Sequence, residues 1–186
     1  MTTTRGYMVV LQEPEDALQW NRKYRGIYRV PACPPPHVQE REAMERYVFD
    51  PAVKSRDTWM IPTLDKAWEL LAMLGNSPRK FEIIYCEAVC GDAERRPEHS
   101  NSAKANYELL GFDVATTEGE FWSIVADFPP QLQMFAPQLN AYGLFDSEAL
   151  AAAFLREYRL RKLPDSEMSL IVWRIYKVMT DPAVSV

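Results

Sequence analysis

The stretch that decides the fold is MSLIVWRIYKVM, residues 168–179. Its apolar side chains alternate onto both faces of an extended strand. One face carries Ile171, Trp173 and Ile175, and the other carries Leu170, Val172, Tyr176 and Val178. A strand that is apolar on both sides is typical of the centre of a covered sheet, or of a strand at an interface between chains. We therefore predict a central strand and keep the interface strand as the alternative.

Two earlier segments predict further strands. GYMVVLQ, residues 6–12, is a short apolar run, and KFEIIYCEAV, residues 80–89, is rich in β-branched and aromatic residues. Both compositions favour strands over helices. Together with residues 168–179 they predict a small sheet.

Six segments predict helices, at residues 13–25, 40–49, 61–75, 103–112, 118–127 and 147–162. The clearest is 61–75, where Thr63 can cap the first turn and Gly75 suits the end of the helix. The segment 118–127 is predicted because Thr117 and Glu120 have the spacing of a capping box. Two prolines at 129 and 130 would end that helix.

The order of these segments indicates the fold class. Strands and helices do not alternate strictly, as they would in a parallel doubly wound sheet. We predict an α+β fold with about three or four strands and five or six helices. The chain has 186 residues, which suits a single globular domain over 1–186.

Charge is distributed unevenly along the chain. The net charge is -5, but residues 111–150 contain six acidic residues and no basic one. No Lys or Arg occurs between Lys104 and Arg156. A surface built from this stretch would repel the phosphates of nucleic acids and attract basic partners.

The compartment is also indicated by composition. No apolar run approaches the roughly 18 residues needed to cross a bilayer, and acidic residues soon follow the first apolar run, unlike a secretory signal. The three cysteines Cys33, Cys86 and Cys90 include no CxxC pair, which favours a reducing compartment. We therefore expect a cytoplasmic protein with no membrane partner.

No motif for catalysis, cofactor binding or metal binding is present. The two histidines, His37 and His99, stand alone, and the seven glycines form no phosphate-binding loop. We therefore expect no enzyme, no cofactor and no metal. A small hydrolase-type enzyme stays open as an alternative, because dispersed Asp, Cys and His residues can meet in space.

The acidic stretch also contains aromatic residues, a combination that suits a docking surface. Large aromatic side chains dominate binding energy at protein interfaces, and carboxylates complement a basic partner. Glu118 and Glu120 could instead only stabilise a helix N-terminus, and Trp122 could pack in the core. The candidate partner-binding residues are Asp113, Glu118, Glu120, Trp122 and Asp127, with Asp146 and Glu148 as a rim.

Two segments of the second half carry a family resemblance. They are YELLGFDVATTEGEFWSIVAD, residues 107–127, and LNAYGLFDSEALAAAFLREY, residues 139–158. Their LLGFD turn, Ser123, LN-x-YGLF stretch and following amphipathic helix resemble small bacterial immunity proteins of polymorphic or contact-dependent toxin systems. Separately, LDKAWELL, residues 64–71, is similar to a segment of a YfbM-like family of unknown function.

The resemblance implies a cytoplasmic protein that binds and neutralises a cognate secreted toxin. Many such toxins are nucleases or nucleotide-directed enzymes with basic clefts, which an acidic inhibitor can occupy. The resemblance therefore implies that the partner is a protein and not a nucleic acid. A homo-oligomeric adaptor, or a homodimer formed through residues 168–179, stays open beside it.

Overall fold

The computed structural model describes residues 5–11, 60–74, 81–89, 106–117, 123–125, 129–164, 166 and 168–179. These residues form a four-stranded antiparallel sheet with two α-helices and a 3-10 helix. In chain order the elements are β1 (Arg5–Leu11), α1 (Leu64–Leu74), β2 (Phe81–Ala88), β3 (Asn106–Thr116), the 3-10 helix (Pro130–Gln138), α2 (Glu148–Leu160) and β4 (Leu170–Met179).

The strand order is β1-β2-β4-β3, so β4 lies between two neighbours. On one side β4 pairs with β2, where Cys86 lies opposite Ile175. On the other side it pairs with β3, where Val114 lies opposite Val172. Trp173 is fully buried, which confirms the central strand predicted from its apolar faces. Because both edges of β4 pair within the chain, this strand's edge is not open to a second copy.

Both α-helices cover the same face of the sheet, which we call the helical face. α1 packs against β1 and β2, and α2 packs against β3 and β4. Residues that share this face include Val9, Ile83, Val114, Val172 and Val178. The opposite face is also buried, around Met8, Ile84, Leu110, Trp173 and Ile175.

The predicted strands and helices whose apolar residues recur at a regular spacing are confirmed. The segments 6–12 and 80–89 are β1 and β2. Helix α1 follows Thr63, whose Oγ1 accepts a 3.4 Å hydrogen bond from the Lys66 N–H. Helix α2 is capped by Ser147, whose Oγ accepts from the Leu150 N–H at 3.3 Å. These caps satisfy N–H groups that the first helical turn leaves free.

The predicted count of five or six helices is wrong for the described residues, which hold three helices including the 3-10 helix. The segment 103–112 is not helical, because Asn106–Thr116 is a strand. The helix predicted for 118–127 is also wrong where it is described, since Ser123 bridges to Ala115 of β3. The helices predicted at 13–25 and 40–49 lie outside the described residues.

Local geometry explains the two errors. β3 contains a register shift between Leu109 and Gly111, so one extra residue interrupts its alternation and hides the strand period. At 123–125 the backbone instead joins β3, with the Ile124 N–H donating to the Val114 carbonyl at 2.9 Å. Tertiary pairing therefore overrides the local capping pattern.

The single domain over 1–186 stays a prediction. In the part of the chain that the structure describes, no helix has both the length and the apolar character needed to span a membrane.

Candidate functional site

The residues that carry the family resemblance meet along the outer edge of β3. Leu110 is the extra residue at the register shift, and Gly111 follows it with a φ of 147°. A Cβ at Gly111 would lie 2.7 Å from the carbonyl oxygen of Phe145 and 2.9 Å from the Cβ of Leu144. The glycine therefore lets residues 139–146, which we call the Asn140 loop, pack directly on the strand.

Asn140 holds this loop together through its side chain. Its Nδ2 donates to the Leu110 carbonyl at 2.8 Å and to Asp146 Oδ1 at 3.1 Å. Its Oδ1 accepts from the backbone N–H groups of Tyr142 at 2.9 Å and Leu144 at 3.2 Å. One amide thus joins the loop to β3 and also closes the loop on itself.

The loop is fixed at its far end as well. The Phe112 N–H donates to the Phe145 carbonyl at 2.8 Å, and the Phe145 N–H donates back at 2.9 Å. Leu144 and Phe145 are buried, whereas Tyr142 is 42% exposed and Asp146 is exposed. The Asn140 loop therefore anchors two apolar residues inward and presents Tyr142 and Asp146 outward.

The Asn140 contacts predict a measurable loss of stability. We expect Asn140→Ala to lower the free energy of unfolding by about 2 to 4 kcal/mol, because four hydrogen bonds are lost together, two of them part-buried. Urea unfolding measures this change. The matched control is Gln138→Ala, because among the described residues the exposed Gln138 amide makes a single, long hydrogen bond of 3.4 Å to the Met134 carbonyl. Equal losses in the two variants would contradict the structural role of Asn140.

Asp113 lies inside the protein and not on its surface. The residue is 3% exposed, and its Oδ1 accepts hydrogen bonds from Ser123 Oγ and the Val114 N–H, both at 2.7 Å. Burial raises the pKa of this carboxyl from 3.8 to about 7, and the two hydrogen bonds lower it only in part. The pair Asp113–Ser123 attaches the segment around residue 123 to β3, so Asp113 has no surface to offer a partner.

The two rim residues differ in the charge they offer. Asp146 is exposed and accepts a hydrogen bond from the neutral Asn140 amide, which leaves its charge uncompensated by that contact. Glu148 forms a 2.9 Å ion pair with Arg174, with side-chain exposures of 43% and 15%. Part of the Glu148 charge is therefore neutralised within the chain. Glu118, Glu120, Trp122 and Asp127 lie outside the described residues and stay predictions.

The structure adds residues that the sequence analysis missed. Lys177 Nζ lies 2.6 Å from Glu82 Oε2, and this hydrogen bond raises the pKa of Lys177, with smaller contributions from Tyr142 and Glu108. Lys177 therefore lies near Glu82, Glu108 and Tyr142, and Asp146 lies on the same loop as Tyr142. We call this set the Asn140-loop surface, formed by Glu82, Glu108, Tyr142, Asp146 and Lys177. Their positions on four separate segments left no signal in the sequence, apart from the exposed tyrosine within LNAYGLF.

A second polar cluster lies on the helical face, where four tyrosines meet. Tyr7 and Tyr107 share a 3.0 Å hydrogen bond between hydroxyls, and the ring of Tyr85 lies 5.1 Å from Tyr7 and 5.7 Å from Tyr107. Burial raises the pKa of Tyr7, Tyr85 and Tyr176. Burial disfavours the phenolate form, so these three hydroxyls stay protonated at neutral pH and can donate hydrogen bonds.

The residues of the hydrolase alternative do not meet within the described part of the chain. Cys86 is fully buried in β2, on the sheet face opposite the two helices. Cys33, Cys90, His37 and His99 lie outside the described residues. No described contact therefore pairs a cysteine with a histidine.

Comparisons of the chain with protein-family models, with curated proteins and with solved structures found no match.

Proposed function

We propose that the chain is a cytoplasmic immunity protein that binds and neutralises a cognate secreted toxin through an acidic, aromatic-containing surface. The observation that carries the proposal is the Asn140 loop, which holds Tyr142 and Asp146 outward within a stretch that contains no Lys or Arg. The toxin class that fits this surface has a basic cleft, as nucleases and nucleotide-directed enzymes do.

Rigidity supports a binding role for this loop. A loop already held by hydrogen bonds on both flanks loses little conformational entropy when a partner docks. Tyrosine supplies a large contact area with few rotatable bonds, which favours it at binding hot spots. The loop therefore combines a preorganised backbone with a side chain suited to the centre of an interface.

Electrostatics support a basic partner. The Asn140-loop surface contains three carboxylates and one ammonium group, so it carries a net negative charge. Such a surface accelerates association with a cationic cleft, and salt weakens the effect. Asp113 is not included in the proposed surface because it is buried, and Glu148 contributes at the rim while paired with Arg174.

Charge reversal at Asp146 tests the proposed surface. The probe is the protein encoded by the reading frame beside the gene for this chain, purified and passed over the immobilised chain. We expect Asp146→Lys to slow association about tenfold at low salt and less at high salt, because the reversed charge repels a basic cleft. Surface plasmon resonance at two salt concentrations measures both rates.

Glu69→Lys is the matched control, since it makes the same charge change at an exposed position of α1. Equal slowing by the two reversals would show that only net charge matters and that the Asn140-loop surface is not the docking site. If the neighbouring gene product is not toxic, or if co-production of the unchanged chain does not protect cells from it, the immunity function itself is contradicted.

A further inference from the structure

One flank of α2 forms a groove that no described element covers. Ala152, Leu155, Arg156, Arg159 and Leu160 line this groove, which has a volume of about 380 Å³. Leu160 is 69% exposed, more than any other large hydrophobic residue in the described part of the chain. The groove therefore combines an apolar surface with two guanidinium groups.

Part of the groove lies on a side of α2 that points away from the sheet, while Leu155 is partly buried against the core and Arg159 bonds to β4. The helix uses Ala151, Phe154 and Tyr158 for the core, where all three are buried. Residues at spacings of three and four share one side of a helix, so Glu148, Ala152, Leu155 and Arg159 form one row and Ala149, Ala152, Arg156 and Leu160 form the next. These two rows define what we call the outer face of α2.

The outer face has opposite charges at its two ends. Glu148 lies in the first turn and is still 43% exposed beside Arg174, whereas Arg156 and Arg159 lie in the last two turns. Arg156 has no ion-pair partner among the described residues, and Arg159 uses one nitrogen to donate to the Leu170 carbonyl at 2.7 Å. A guanidinium group has five donors, so Arg159 keeps others for a second contact.

The apolar side chains at the two ends of the outer face also differ in size. Small alanines occupy the acidic half of the outer face, and leucines occupy the basic half. If a second α2 lies antiparallel on the first, each basic, leucine-bearing half meets an acidic, alanine-bearing half. A two-fold axis requires this kind of self-complementarity, in which residue i contacts residue j and residue j contacts residue i.

We propose that two copies of the chain associate through the outer face of α2, packed antiparallel around a two-fold axis. Arg156 and Arg159 of each copy face Glu148 of the other, and Leu160 of each copy packs over Ala149 of the other. A second copy is favoured over an acidic peptide as the occupant. An acidic peptide would complement Arg156 and Arg159, but its carboxylates would be repelled by Glu148 at the other end of the same face. This contact differs from pairing through residues 168–179, whose edges are already occupied.

Sedimentation velocity over a micromolar to several hundred micromolar range tests this association. We expect the unchanged chain to approach twice its 21.5 kDa mass as concentration rises. Leu160→Glu should raise the dimer dissociation constant at least tenfold, because it places a charge in the apolar contact. The matched control is Met134→Glu, a 55% exposed position on the 3-10 helix, which should leave the mass unchanged.

A charge exchange separates the proposed contact from general loss of folding. Glu148→Arg and Arg156→Glu should each weaken the dimer, and the double variant should recover it, since each pair is restored with opposite polarity across the axis. Circular dichroism verifies that every variant is folded. A chain that stays monomeric at all concentrations overturns the proposal, as does a dimer that none of the outer-face variants weakens.

Disulfide cross-linking tests the antiparallel orientation. With Ala149→Cys and Leu160→Cys in one chain, mild oxidation should give covalent dimers, because residue 149 of one copy lies beside residue 160 of the other. Ala149→Cys alone should give no covalent dimers. The unchanged chain serves as the control for cross-links through its native cysteines. Dimers from Ala149→Cys alone would indicate a parallel contact and overturn the proposed geometry.

Discussion

Gly111→Ala should lower the free energy of unfolding by at least about 3 kcal/mol, because two penalties coincide at this position. A φ of 147° is a conformation that residues with a Cβ rarely adopt, and such strain costs about 1 to 3 kcal/mol. The added Cβ would also lie 2.7 Å from the Phe145 carbonyl oxygen, inside van der Waals contact. Urea unfolding followed by tryptophan fluorescence measures the loss.

Gly143→Ala is the matched control for backbone strain. Gly143 has a φ of 72°, a left-handed conformation that costs about 1 to 2 kcal/mol for an ordinary residue. We expect the loss at Gly111 to exceed the loss at Gly143, because the Cβ added at Gly111 also collides with the Asn140 loop. A smaller loss at Gly111 would mean that the loop does not pack on the strand as described.

Asp113→Asn should make the protein more stable at pH 8, by about 2 to 4 kcal/mol. The reason is that the buried carboxyl has a pKa raised to about 7, so ionising it in the folded state costs free energy. Asparagine keeps an oxygen that can accept from Ser123 and Val114 but cannot ionise. The substitution therefore removes the cost while retaining those two hydrogen bonds.

The sign of the pH dependence follows from proton binding. Between about pH 4 and 7 the folded state keeps its proton on Asp113 while the unfolded state has lost it. The contribution of Asp113 to the free energy of unfolding is therefore fully present at low pH and is lost as the pH rises through this window. The stability difference between Asp113→Asn and the unchanged chain should grow over the same window and level off above about pH 7.

Urea unfolding at several pH values from 4 to 8 gives this difference curve. Asp146→Asn serves as the control, because Asp146 is exposed and surface substitutions change stability by about 0.5 kcal/mol or less. A flat difference curve for Asp113→Asn would mean that the carboxyl is not buried as described. Other carboxylates titrate in both proteins, so they cancel from the comparison.

The sheet was partly predictable because two of its signals are local. β4 shows its alternation clearly, since no bulge interrupts Leu170–Met179 and both faces are apolar. β3 was mistaken for a helix because the extra residue at Leu110 breaks the period of two. A bulge is set by what packs against it, here Phe145 and Asn140, which are distant in sequence.

The candidate site was less predictable, because acidity is visible in the sequence and burial is not. Asp113 and Asp146 each follow a phenylalanine, yet one is buried opposite Trp173 and the other is exposed. Ser123 accounts for part of the difference, since it provides a hydrogen bond that lets Asp113 stay inside. The contribution of Tyr142 depends on Asn140 holding the loop, a tertiary contact with no local signature.

The position of β4 has a consequence for synthesis. It occupies an inner place in the sheet, yet it is the last of the four strands to leave the ribosome. Until it emerges, the inner edges of β2 and β3 have no partner, and unpaired edges of this kind invite aggregation. Nascent chains that stall before residue 170 therefore expose two unpaired edges, which makes them natural clients for chaperones or proteases.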